Sequence, residues 1–184
     1  GVFIGASGNG DAGMSELYRY KTVVIDAQNF SAEDIREIKN HGVTVYSYMN
    51  IGSIEKNRNY YARFSKLVLG SYEGWPDEEW IDVSDERWQK FITDELAPEL
   101  LISKGADGLF IDNCDVYYYY RNKKIYNGII SILKSVHKSG VPVIINGGDT
   151  FTEQYLGDDS TDKEIFEGIS QEIDGVSEYD YYTE

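Results

Sequence analysis

Short apolar runs alternate along this chain with amphipathic stretches, the pattern of repeated βα units feeding a parallel sheet. The first run is Val2-Phe3-Ile4, and the second is Thr22-Val23-Val24-Ile25-Asp26. Ser31-Ala32-Glu33-Asp34 then reads as a capped helix start carrying Ile35 and Ile38, with Gly42 ending the helix. A third strand is expected over Val43–Asn50, followed by a long polar segment with Trp75 and Trp80 that reads as a loop excursion. From Ser84, helical spacing puts Trp88, Phe91, Ile92 and Leu96 on one face, and Pro98 is expected to break or restart that helix.

Ala106-Asp107-Gly108-Leu109-Phe110-Ile111-Asp112 forms the fourth strand-like run. Ile125, Ile129, Ile132, Leu133 and Val136 then mark a helix from about Asn122 that Gly140 closes. A fifth strand is read over Val141–Asn146 and a sixth through Ile165–Ser170 towards Glu172. Six β units in 184 residues suit either a TIM-like (β/α) barrel incomplete at its C-terminus or an open doubly wound sheet. The glycine-rich Gly5-Ala6-Ser7-Gly8-Asn9-Gly10 does not favour the second, because the segment after it reads as a poor helix, unlike a phosphate-binding turn. With no linker composition anywhere, residues 1–184 read as one domain. Two further β units are expected from a longer chain, since a barrel stopped at six strands leaves unpaired edges.

The strand-like runs share a feature that carries chemistry. Each ends on a polar residue at the same end: Asp26, Asn50, Asp112, Asn146 and Glu172. In parallel β/α folds these ends converge on one face, where active sites assemble. Each residue singly could equally cap the following loop. Asp112 leads the set, because it closes the continuous apolar run Gly108–Ile111 and its neighbours Asn113 and Asp115 thicken the polar cluster. His41 and His137 lie at helix C-termini and read as end caps, which leaves a serine or cysteine nucleophile without its usual base. Two carboxylates are then the natural chemistry, as in glycoside hydrolysis, and they require neither cofactor nor metal. A metal at Asp112 and Asp115 would need further ligands, for which no spacing is recognisable.

Tyr117-Tyr118-Tyr119-Tyr120 follows the Asp112 cluster at once, and its rings, like Trp75 and Trp80, have two readings: stacking on sugar faces or packing of loops. Trp88 reads as core, and the single cysteine, Cys114, as a small packing residue that excludes an intrachain disulfide. With 17 Lys and Arg against 32 Asp and Glu, the net charge is −15, which argues against nucleic acid and anionic membranes as partners and permits a cationic ligand. No apolar run has the length of a bilayer span.

Five segments, in order and spacing, resemble glycoside hydrolase family 114, the endo-α-1,4-polygalactosaminidase-like barrels. They are Val23–Gln28, Tyr48–Ser53, Gly108–Asp115, Ile145–Asp149 and Gly168–Glu172. The resemblance implies a TIM-like barrel that hydrolyses α-1,4-linked galactosamine polymers outside the cell, or at its surface, with Asp112 and Glu172 as the catalytic carboxylates. Glu178 is the alternative for the second. Asp26, Tyr48, Asn50, Asp115, Tyr117 and Asn146 are expected to bind substrate. Deacetylated galactosamine is cationic near neutral pH, which the net charge suits. Retention or inversion depends on the carboxyl separation, which sequence does not give. A carbohydrate-binding barrel without turnover, and a metal-dependent barrel enzyme, are the rival readings.

Overall fold

The computed structural model describes residues 2–6 and 11–157. Its main sheet has five parallel strands: β1 (Val2–Ala6), β2 (Thr22–Ile25), β3 (Thr44–Asn50), β7 (Gly108–Asp112) and β8 (Val143–Asn146). They lie side by side in the order β1-β2-β3-β7-β8. This order never reverses, as it must in a doubly wound sheet, so the open-sheet alternative is overturned in favour of a singly wound, barrel-type sheet. The sixth strand expected over Ile165–Ser170 lies outside the described residues.

Alternation along the strands sorts side chains onto two faces. Val23, Ile25, Val45, Met49, Leu109, Ile111 and Val143 belong to the main core, with Ile35 and Ile38 of helix α2 (Ala32–Asn40) and Ile129 and Leu133 of helix α6 (Lys123–His137). The opposite parity gives a separate cluster of Val24, Tyr46 and Phe110, with Tyr48 and Ile144 packed against it. Among the described residues no helix residue enters this second cluster, as expected of a barrel's inner face. Gly108 makes the layer possible: a Cβ there would lie 2.6 Å from the Tyr46 ring.

The helices follow their local signals. Ser31 and Asp34 form a reciprocal capping box at the start of α2, and Asn122 accepts from the amides of Lys124 and Ile125 at the start of α6. His41 caps α2, its Nδ1 2.9 Å from the Glu37 carbonyl, and His137 is the last residue of α6. Two expectations about helices fail. A helix, α1 (Asp11–Leu17), does follow the glycine-rich stretch of sequence. Pro98 does not break the helix that opens with α4 (Glu86–Lys90): helical backbone runs on through Phe91–Leu96 and Glu99–Ser103. Wide turns on both sides absorb the proline, with the Ala97 amide donating to the Ile92 carbonyl and Lys104 to Glu99, each five residues back.

The excursion after β3 is a second, antiparallel sheet rather than a loop. Its strands β4 (Ser53–Glu55), β5 (Val68–Ser71) and β6 (Glu78–Ile81) lie in the order β4-β6-β5, with the short helix α3 (Tyr61–Phe64) between β4 and β5. Trp80 of β6 is buried at 2% exposure, stacked on Tyr72 at 4.2 Å and tilted against Tyr119 at 4.7 Å, so it packs this sheet. Trp88 is core, and its Nε1 donates 2.8 Å to the Ile51 carbonyl at the exit of β3. No helix among the described residues is long and apolar enough to cross a membrane.

Candidate active site

At the C-terminal end of the sheet, Asn50, Asp112 and Asn146 form one row: Asn50 pairs with Asp112 and Asp112 with Asn146 in strand register. All three share the parity of the inner cluster, so they crown its Tyr48, Phe110 and Ile144 layer. Beyond them opens a cleft of about 920 Å³. Tyr48, Asp112 and Asn146 line it from the main sheet, Asn113 and Asp115 from the turn after β7, Glu55 and Glu78 from the antiparallel sheet, and Tyr72 and Trp75 from the turn that leads into Glu78.

Asp112 is held by donors. Its Oδ1 accepts from Asn146 Nδ2 and from the Asn113 backbone amide, both at 2.9 Å. Burial pushes its carboxyl up from the usual 3.8 to about 6, with the neighbouring Glu78 charge adding to the rise, while Asn146, the Asn113 amide and the Tyr48 hydroxyl pull the other way. The Tyr48 hydroxyl is itself pushed well above the ordinary tyrosine range, by burial first and then by Asp112, Glu55 and Glu78. Asp115 is also raised, by burial, against a hydrogen bond from the Gly148 backbone.

Two positions with positive φ shape the site. Asn113 adopts a left-handed conformation at φ 66°, which turns the chain back after β7. Gly147, with φ 69°, leaves the space that the Asp115 carboxylate fills, since a Cβ there would fall 2.4 Å from Asp115 Oδ2.

Glu78 is the cleft residue that the strand-end pattern missed. Its Oε1 accepts from Asn50 Nδ2 at 2.7 Å and from Asn113 Nδ2 at 3.0 Å, and also from the Ser53 hydroxyl. Asn113 Nδ2 further donates to Ser53 Oγ at 2.8 Å, and Tyr72 donates its hydroxyl to Asn113 Oδ1 at 3.1 Å. Asn50 is thus buried beneath the cleft and faces Glu78 and Ser53.

Two expected substrate-binding residues stand elsewhere. Asp26 Oδ2 accepts from Arg58 Nη1 at 2.7 Å, and Arg58 Nη2 reaches Glu55 Oε1 at 2.7 Å, which makes Asp26 one end of a half-buried ion triad. Tyr117 is 5% exposed, packs against Tyr126 and Phe151, and donates its hydroxyl to Gln154 Oε1 at 2.6 Å. In the short helix α5 (Val116–Tyr119) one face turns inward, so Tyr117 is core while Tyr118 and Tyr119 face solvent. Asp112, Asp115, Tyr48 and Asn146 do converge on the cleft. Glu172 and Glu178 lie outside the described residues. Among the described residues, no group of three or more His, Cys, Asp or Glu side chains is arranged to hold a metal ion.

A singly wound parallel sheet with a carboxylate cleft at its C-terminal strand ends defines a domain of the β/α-barrel type. The chain belongs to glycoside-hydrolase family GH114, whose family profile matches residues 11–184. The fold is similar to the glycoside hydrolase domain of PelA from Pseudomonas aeruginosa, with TM-score 0.71 and 20% identity over 85% of this chain and 63% of that one. It is similar to Aspergillus fumigatus Ega3, solved in complex with galactosamine, with TM-score 0.67 and 18% identity over 85% of this chain and 62% of that one. The α-galactosidase TtGalA from Thermus thermophilus is more distant, at TM-score 0.58 and 10% identity over 78% of this chain and 37% of that one. The chain thus spans less than two thirds of the length of the PelA and Ega3 chains it matches. Among curated proteins there is no significant sequence match.

Proposed function

We propose that this chain carries the catalytic cleft of a hydrolase that cuts within α-1,4-linked galactosamine-containing polysaccharide, using Asp112 and Glu172 as its two carboxylates. The observation that carries this reading is Asp112 itself, a largely buried carboxyl at the head of a cleft in a GH114 chain. Its partners Asn146 Nδ2 and the Asn113 amide can only donate, so they hold the ionised form that burial opposes and that the carboxyl takes above about pH 6. Asp112 therefore acts as the ionised carboxylate facing the sugar's anomeric centre, where positive charge develops. Glu172, which closes the Gly168–Glu172 motif, supplies the proton to the leaving oxygen. Glu178 is its alternative.

A cationic amino-sugar polymer suits the lining. Glu55, Glu78, Asp112 and Asp115 face the cleft, and its lysine, Lys56, is drawn to the Pro76 carbonyl at 2.8 Å and to Glu79 at 3.6 Å. Trp75 at the rim offers a ring for a sugar face. Tyr48, Asp115 and Asn146 are the groups in reach of sugar hydroxyls and amines. A polymer of this kind implies work outside the cell or at its surface.

Reducing-end release measured on a panel of polysaccharides, with and without deacetylated galactosamine, tests the reading. Release from the galactosamine polymers alone is expected. Saturable binding without any release would make the chain a binding module, and loss of release with chelator would make it a metal enzyme.

A further inference from the structure

The antiparallel excursion sends one acidic side chain into the row of strand-end residues, and the contacts it makes there are more than a lid would need. Glu78 Oε1 gathers Asn50 Nδ2, Asn113 Nδ2 and the Ser53 hydroxyl onto one oxygen. Two of these donors flank Asp112, Asn50 as its register partner on β3 and Asn113 as the next residue in the chain. Asn113 is the residue whose left-handed backbone presents its amide to Asp112 Oδ1 at 2.9 Å. A non-glycine residue in that conformation needs its surroundings to hold it, and the Asn113 side chain is tied at both ends, to Glu78 and Ser53 through Nδ2 and to Tyr72 through Oδ1.

We propose that Glu78 is a positioning residue for Asp112: through Asn113 it fixes the turn that holds the Asp112 carboxyl, and it sets a second negative charge beside that carboxyl. This rests on the reading of Asp112 as a working carboxylate. The charge of Glu78 is local and lasting, because the nearby cations are engaged elsewhere, Arg58 with Asp26 and Glu55 and Lys56 with Glu79. Glu55 and Asp115 line the same cleft, Asn113 and Asn146 are neutral donors, and the titratable groups interacting with Asp112 itself, among the described residues, are Tyr48 of β3, Tyr72 just past β5 and Glu78 of β6. Of these, Glu78 adds negative charge, which makes the Asp112 carboxylate more basic and favours a cationic transition state in the cleft.

The test replaces the charge and keeps the shape. In Glu78→Gln the amide oxygen can still accept from all three donors, so the fold is retained while the charge is lost. Titration of the Asp112 carboxyl by carbon NMR, with the resonance assigned by its loss in Asp112→Asn, should then show a midpoint lower by about half a pH unit or more. The acid limb of kcat/KM should move to lower pH by the same amount. Asn113→Gly accommodates the left-handed backbone but removes one donor to Glu78 and the tie to Tyr72, and by loosening the amide that holds Asp112 while the Glu78 charge stays, it should shift the midpoint the opposite way, upward. A midpoint that stays at the wild-type value in both variants overturns the role of Glu78, even in an active enzyme. A midpoint that moves in a protein releasing no sugar overturns the functional reading and leaves this one standing.

Discussion

The Cβ that Gly52 lacks would fall 1.7 Å from the carbonyl oxygen of Asn113. Backbone meets backbone here, so the exits of β3 and β7 are pressed together with no side chain between them. The Ile51 amide donates to the Asp112 carbonyl at 3.2 Å in the same seam. Gly52→Ala must push Asn113 away, and with it the amide that holds Asp112. A stability loss at or above the ~1–3 kcal/mol of ordinary overpacking is expected, together with loss of hydrolysis. Thermal melts and kcat/KM on the same preparation check this, and a variant unchanged in both would show that the seam can open at no cost.

Asp112→Asn separates activity from stability. The Asn side-chain oxygen can still accept from Asn146 and the Asn113 amide, while its amide can face the Tyr48 hydroxyl. Hydrolysis should fall by several orders of magnitude. The folded carboxyl sits near 6 against a usual 3.8, so above that pH the wild type keeps a charge that folding disfavours, worth up to about 3 kcal/mol. The variant should therefore melt several degrees higher than wild type at pH 7, and this gap should close as pH falls towards 4.

The sheet was legible where strands are buried on both faces, because Thr22–Ile25 and Gly108–Asp112 read as apolar runs whatever surrounds them. Asn50, Asp112 and Asn146 were legible for the same reason, as polar residues ending such runs. Glu78 was not: Asp77-Glu78-Glu79 looks like an ordinary solvated acidic stretch, and only the antiparallel pairing of β4 with β6 brings it to Asn50 and Asn113. Tyr117 was misplaced because four identical residues give no phase, and helix α5 decides which ring turns inward. Pro98 misled because the wide turns that absorb it depend on packing, which no local signal reports.

The pH profile follows from the same carboxyl. If Asp112 works ionised, kcat/KM should rise as pH increases through about 6 and fall as pH drops below it. Loss of rate on the alkaline side of that midpoint instead would assign Asp112 the proton-donating role and give the ionised one to its partner.

Trp75 and Trp80 share a hairpin and should behave oppositely. Trp75 is 64% exposed at the cleft rim, in a turn held by its own backbone, which donates to the Tyr72 carbonyl and accepts from the Glu78 amide. Trp75→Ala should leave the melt within a degree or two and raise KM for long substrates about tenfold, the equivalent of ~1.4 kcal/mol of lost stacking. Trp80→Ala opens a cavity in the packing between Tyr72 and Tyr119 and should cost about 3–5 kcal/mol of stability.

The Asp26–Arg58–Glu55 triad supports the cleft from the side. Arg58 is 12% exposed and bonded to both carboxylates at 2.7 Å, while its Nε and Glu55 Oε2 have no hydrogen-bond partner. Removing the arginine leaves two carboxylates facing each other in a half-buried site, and a loss of about 3 kcal/mol or more is expected for Arg58→Met. Asp26→Asn in the same background should recover part of that loss, because it removes one of the two stranded charges. Alone, Asp26→Asn should lower the melting temperature with little change in KM, since its carboxylate faces Arg58 rather than the cleft lining. A normal melt with a raised KM would return Asp26 to the substrate, and a double variant no more stable than Arg58→Met would show that the two residues are not coupled.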